Sequence, residues 1–163
     1  MIFITLGSQK FQFNRLLKAV DKQVAAGKIK APIFAQIGVS DYRPQNFKYK
    51  DFLDRDAFAE WTRKADIVIT HGGAGAIMEA VKMGKKVVAV PRLAVFGEHV
   101  DDHQLQLIGQ FKERNLICAC QDCDHIWEAV EEAKRTEYTH YQSNTHRIIA
   151  SIEKYIYDSV NVG

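Results

Sequence analysis

The run Asp66-Ile67-Val68-Ile69-Thr70-His71-Gly72-Gly73-Ala74-Gly75-Ala76-Ile77-Met78-Glu79 constrains the fold more than any other stretch of the chain. Ile67, Val68 and Ile69 are apolar without alternation. Such a run fits a strand covered on both faces, and strands of that kind belong to parallel sheets. His71-Gly72-Gly73 break the strand, and Ala76, Ile77, Ala80 and Val81 resume at helical spacing until Gly84 closes the helix. A strand, a glycine turn and a helix N-terminus in succession bring free amides and the positive end of a helix dipole to one point. That is the physics of an anion site.

The rest of the chain repeats the strand-then-helix pattern. Ile2 to Leu6 reads as a buried strand ended by Gly7-Ser8, and Phe13, Leu16, Leu17, Val20 and Val24 as a helix stopping near Gly27. Ile33 to Ile37 is a second strand closed by Gly38, and Phe47 to Phe52 contains a short third one. Ala57, Phe58, Trp61 and Ala65 mark a helix before the central strand. Lys86 to Val90 is an apolar strand terminated by Pro91, which cannot donate to a sheet ladder. Asp101 or Asp102 can cap a helix with an inner face of Leu105, Leu107, Ile108 and Phe111, and Leu116 to Cys118 forms a last short strand. Asp122 or Asp124 can cap a helix carrying Ile126, Trp127 and Val130, and a final helix from Tyr141 aligns Ile148, Ile149, Ile152, Tyr155 and Ile156. The class is α/β, a Rossmann-like parallel sheet with helices on both faces. Ligands bind such sheets beyond the carboxyl ends of the strands. That edge collects Gly7-Ser8, Gly38, His71 to Gly75, Pro91 to Glu98 and the Asp102 region.

Composition narrows the partners. The 163 residues, 47% hydrophobic and 26% charged, suit one globular domain spanning 1–163. The 22 basic and 20 acidic residues are interspersed, so nothing points to nucleic acid. No apolar run reaches the roughly 20 residues that cross a bilayer. Three cysteines are an odd count for a disulfide framework, and a reduced cytoplasmic setting is expected. Cys118, Cys120 and Cys123 with His125 lack the second ligand pair of a zinc site, so no metal site is expected.

Two common nucleotide motifs are absent. A dinucleotide fingerprint fails because Gly73-Ala74-Gly75 runs on to Met78 where the third glycine belongs, and the next strand ends in Pro91-Arg92 without an acid. A P-loop fails because Gly84-Lys85 is followed by Lys86, and Glu79 stands at the first glycine position.

Taken together, His71-Gly72-Gly73-Ala74-Gly75-Ala76-Ile77-Met78-Glu79, then Val87 to Pro91, then Asp101-Asp102-His103-Gln104-Leu105, resemble the donor-binding C-terminal half of GT-B glycosyltransferases. Within that group the chain is most similar to the glycosyltransferase family 28 C-terminal domain. Its nearest likeness is to soluble subunits of two-chain GlcNAc transferases of dolichol-linked chitobiose synthesis and to small bacterial capsule and exopolysaccharide transferase subunits. The resemblance covers nearly the whole chain, including Thr5 to Ser8 and Phe34 to Gly38.

The resemblance implies an inverting glycosyltransferase that takes a UDP-sugar as substrate, with no cofactor. Gly72, Gly73, Ala74 and Gly75 lie against the diphosphate, with Gly7 and Ser8 on the same edge. Glu79 matches the position that takes the ribose hydroxyls, against the plainer reading of a solvated helix face. Gln104 matches the position that reads the donor sugar. Asp102 is a site residue, a helix cap, or both. Arg92, Glu98 and His99 lie on the loop between, within reach of sugar or diphosphate. His71 is either a phosphate ligand or a filler of the turn. The donor sugar stays open among GlcNAc, galactose and glucuronic acid. The catalytic base and the acceptor side have no candidates in this chain. The resemblance therefore implies a small membrane-anchored partner subunit and a polyprenyl-diphosphate-linked acceptor, with the chain held peripherally at the inner face of the membrane. The final helix is a docking surface or simply core. The contrasting reading is a non-catalytic activator or scaffold subunit of a membrane glycosyltransferase.

Overall fold

The computed structural model describes residues 1–142 and 145–161. β1 (Ile2–Thr5), β2 (Ile33–Gln36), β3 (Lys48–Lys50), β4 (Ile67–His71), β5 (Lys86–Val90) and β6 (Cys118–Ala119) form one sheet in the order β3-β2-β1-β4-β5-β6. Every neighbouring pair is parallel. The helices are α1 (Asn14–Ala25), α2 (Arg55–Lys64), α3 (Ala74–Lys82), α4 (His103–Glu113), α5 (Ile126–Arg135) and α6 (Thr145–Asn161). This is the doubly wound order, which reverses between β1 and β4 and opens its ligand crevice there.

The unbroken apolar runs are explained by the two cores they serve. On one face, Ile2, Ile4, Ile67, Ile69, Val88 and Val90 pack with Leu16, Leu17 and Val20 of α1 and Ile126 and Val130 of α5. On the other, Phe3, Val68, Val87 and Ala89 meet Ile77, Ala80 and Val81 of α3, Ile108 and Phe111 of α4, and Ile149 of α6. Successive strand residues point to opposite faces, so both must be apolar. Trp61 of α2 stacks flat on Phe34 at 3.9 Å between ring centroids, extending the second core to the β2 edge.

Three details differ from the sequence reading. The last strand is Cys118–Ala119, because the Leu116 amide is captured by the Phe111 carbonyl at 3.2 Å as α4 closes and cannot enter a ladder. On α4, Gln104 is buried beside Ile108 and Phe111, while Leu105 is only half-buried. On α6, Ile149, Ile152 and Ile156 are buried but Tyr155 is 63% exposed and lies off the stripe. Among the described residues, no helix is long and apolar enough to cross a membrane.

Candidate functional site

β4 ends by delivering His71, buried, to the carboxyl edge of the sheet. The Gly73 amide donates to its Nδ1 at 3.1 Å, and Gln104 Nε2 lies 3.3 Å from the same atom. With two N–H groups aimed at it, Nδ1 carries the lone pair, which assigns the proton of the neutral ring to Nε2. Burial, reinforced by the nearby Arg92 charge, pushes the imidazole pKa down to about 4. His71 is therefore neutral near pH 7. Its ring also explains Gly7, whose φ is +75° and where an added Cβ would stand 2.8 Å from His71 Nε2.

The glycines of the turn have different reasons to be glycine. A Cβ at Gly72 would meet Gln104 Cβ at 2.6 Å, and one at Gly73 would meet the His71 ring at 2.3 Å. Both are required by packing inside the protein. A Cβ at Gly75 meets nothing within 4 Å, and this residue is exposed in the first turn of α3. Glycine there costs helix stability by about 1 kcal/mol relative to alanine. Gly73 is the N-cap of α3 with no side-chain cap bond, and the first turn has no acidic residue. The amides of Ala74, Gly75 and Ala76 thus open α3 with no carboxylate or cap over them.

Gln104 reaches this turn from α4. Its Oε1 accepts from the Gly72 amide and from the Arg92 amide, both at 3.0 Å, tying the β4–α3 turn to the strand end of β5. The carbonyl end of the amide is thereby committed within the protein.

The loop after β5 is packed differently from the accessible loop that its charges suggest. Arg92 is 1% exposed and Glu98 is 0% exposed. The Arg92 guanidinium donates to the carbonyls of Phe11 at 2.9 Å and Gln12 at 3.0 Å, and also to that of Leu6. Glu98 accepts from Arg15 through both carboxylate oxygens at 3.0 Å and from the Leu93 amide at 3.0 Å. Both side chains are therefore internal struts, a correction to their placement as ligand-facing groups. Asp102 occupies the N-cap position of α4 without a cap bond; its Oδ1 accepts from the Ala94 amide at 2.8 Å and holds the short 3-10 turn Ala94–Phe96. The cap function falls to Asp101, whose Oδ1 accepts from the His103 amide at 3.0 Å. His99 packs against Phe11, with ring centroids 5.2 Å apart.

Beside the glycine turn lies a cavity of about 360 Å³ between α4 and α6, lined by Gly72, Gly73, His99, His103, Gln104, Leu107, Glu153, Ile156 and Tyr157. Thus Gly72, Gly73, His99 and Gln104 come together as expected, while Leu107, Glu153 and Tyr157 join them unforeseen. The sequence signal for Leu107 is only its place on the inner face of α4, and that for Glu153 and Tyr157 is the last helix, read as core or docking face. Ser8 is exposed on the loop after β1, and Glu79 is exposed in the second turn of α3. The three cysteines are buried free thiols, and burial pushes Cys118 up to about 11 and Cys120 and Cys123 up to about 12, so all are protonated.

Comparison with known proteins gives a consistent picture. Residues 1–158 match the family model described as glycosyltransferase family 28 C-terminal domain. The human UDP-N-acetylglucosamine transferase subunit ALG13 is 32% identical over 131 residues, covering 74% of this chain and 11% of the human protein. The mouse protein of the same name is 34% identical over 93 residues, covering 53% of this chain and 8% of its own length. The chain thus spans about a tenth of the length of these relatives. Among solved structures, the glycotransferase of kitacinnamycin superposes with a TM-score of 0.56 at 18% identity over 96% of this chain and 39% of that one. MurG of Acinetobacter baumannii gives 0.53 at 22% identity over 94% of this chain and 49% of its own.

Proposed function

The chain belongs to the glycosyltransferase family 28 C-terminal domain family, and from that premise we propose that it is the UDP-sugar-binding catalytic subunit of a heteromeric inverting glycosyltransferase. Its proposed reaction moves a hexose from UDP to a polyprenyl-diphosphate-linked sugar in polysaccharide or capsule biosynthesis. It works with a small membrane-anchored partner and is held at the inner face of the membrane by that partner. Among GlcNAc, galactose and glucuronic acid, the name of the human and mouse relatives favours GlcNAc as the donor sugar.

The observation that carries the reading is Gly75. Internal packing does not call for a glycine there, and the helix is weakened by it, yet it leaves the first-turn amides of α3 open to an external anion. A diphosphate on those amides meets the dipole end of α3, which lowers the energy of the leaving group as charge develops on it. Neutral His71 holds the turn from beneath through the Gly73 amide. Glu79, further along α3, supplies a carboxylate with capacity for both ribose hydroxyls. Gln104 braces the turn through Oε1 and directs one Nε2 hydrogen at His71, which leaves the second Nε2 hydrogen for the sugar. His99 lies along the same cavity, with Ser8 and Asp102 on the loops of the same sheet edge.

Calorimetric titration of the purified chain with UDP, UDP-GlcNAc, UDP-galactose and UDP-glucuronic acid tests this reading. The expected result is saturable binding of UDP, weakened about tenfold in Glu79→Ala, in keeping with a lost charge-assisted hydrogen bond. Absence of binding by the folded chain would leave the activator or scaffold reading in its place, and unchanged binding in Glu79→Ala would remove that residue from the site.

A further inference from the structure

Arg92 is the largest fully buried side chain and the one whose burial the proposed chemistry does not itself require. Burying an arginine is costly unless its donors find acceptors, and here both terminal nitrogens donate to backbone carbonyls, chiefly of one distant loop, with Nε left without a partner. The carbonyls of Leu6, Phe11 and Gln12 belong to the β1–α1 loop, which also carries Gly7 and Ser8. The arginine itself starts the β5–α4 loop, and its own amide is held by Gln104, which also holds the Gly72 amide. Its guanidinium lies over the Phe13 ring at 5.1 Å, which fixes its plane. A second link joins the same two loops from outside: Gln12 Nε2 donates to the Phe96 carbonyl at 3.0 Å and sits 3.4 Å from that of Gly97. The Glu98 carboxylate hydrogen-bonds Arg15 and lies close enough to favour the Arg92 charge, while the hydrogen bonds of Arg92 itself go to carbonyl dipoles.

The geometry points to Arg92 as the positioning residue of the anion site. Without touching the ligand, it locks the β1–α1 loop to the β5–α4 loop on either side of the glycine turn and supplies fixed positive charge behind it. The inference rests on the donor-site reading for its ligand, but the locking of the loops does not. Lysine cannot replace arginine here, since one ammonium cannot span carbonyls that a planar fork reaches together.

The test compares the wild-type chain with Arg92→Lys, Arg92→Met and Gln12→Ala by hydrogen exchange of the 6–12 amides without ligand, by thermal unfolding, and by calorimetric binding of UDP. Arg92→Lys is expected to speed exchange of the 6–12 amides about tenfold and to weaken UDP about tenfold while retaining a cooperative unfolding transition. Arg92→Met, which also removes the charge, is expected to weaken UDP further. Gln12→Ala removes the outer link together with the bond from the Asn14 amide, but keeps the Gln12 carbonyl and the buried arginine, so it guards against a variant that fails to fold; about threefold changes of the same sign are expected. Unchanged loop exchange in the folded variants overturns the lock. Faster exchange with undiminished UDP affinity overturns the positioning role. A wild-type chain that does not bind UDP sinks the donor-site reading instead, and the exchange comparison still decides the lock.

Discussion

The N-termini of α2 and α3 are built on opposite plans. α2 starts from Asp54, whose carboxylate accepts from the Ala57 amide at 2.8 Å, and it carries Asp56 in its first turn. α3 starts from Gly73, with no cap bond and no acid in its first turn. The first helix end satisfies its own donors and dipole. The second leaves them open, and receives its support from beneath, where His71 and Gln104 hold the turn. The contrast separates a helix end closed on its own side chains from one whose amides stay open, which is the arrangement the proposed donor site uses.

The largest expected effect is on the support beneath α3. His71 has a folded pKa of about 4 against an ordinary 6.5, so the unfolded chain binds the extra proton between those values. Stability is complete above pH 6.5 and falls as the pH drops toward 4, by on the order of 3 kcal/mol in total. Urea unfolding across this window is expected to show the decline, and His71→Gln to flatten it. Next, Gly75→Asp gives α3 the acidic first turn that α2 has. Thermal stability is expected to hold or rise by about 1 kcal/mol, while UDP affinity falls about a hundredfold through like-charge repulsion and obstruction. A variant that binds UDP normally would erase the distinction between the two helix ends. Gly72→Ala is expected to cost about 2 kcal/mol in urea unfolding through overpacking against Gln104 Cβ, whereas Gly75→Ala should be neutral or stabilising. The smallest effect belongs to Asp54→Ala, with a loss of about 1 kcal/mol and no change in UDP binding.

The β4 and β5 strands were legible because burial on two faces forces an unbroken apolar run, and the stop of α3 because Gly84 has φ +75°. The glycine turn and the uncapped start of α3 were legible for an equally local reason, since His71-Gly72-Gly73 break the strand. Arg92 and Glu98 were not, because a charge in a loop reads as exposed until its partners are known. The shortest hydrogen bonds of Arg92 reach residues 80 to 86 positions earlier, and all its acceptors are backbone carbonyls, which carry no residue signature. The resemblance marks Gln104 as a residue expected to face the sugar, but its bracing of Gly72 and Arg92 depends on how closely α4 approaches the turn. The cavity wall from Leu107, Glu153 and Tyr157 depends on where α6 folds back, a tertiary outcome beyond helical periodicity.

The central place of β1 has a kinetic consequence. Ile2 lies in register with both Ile33 and Ile67, so the crevice between β1 and β4 forms only after a segment from the middle of the chain closes against its start. Such non-local parallel pairings form slowly. The proposed donor site has no complete local precursor: the β4–α3 unit carries the open helix end, but Gln104, which braces its turn, arrives on α4. UDP added during refolding is therefore expected to leave the early phases untouched and to pull only on the final one, since it recognises the finished switch point and nothing that precedes it.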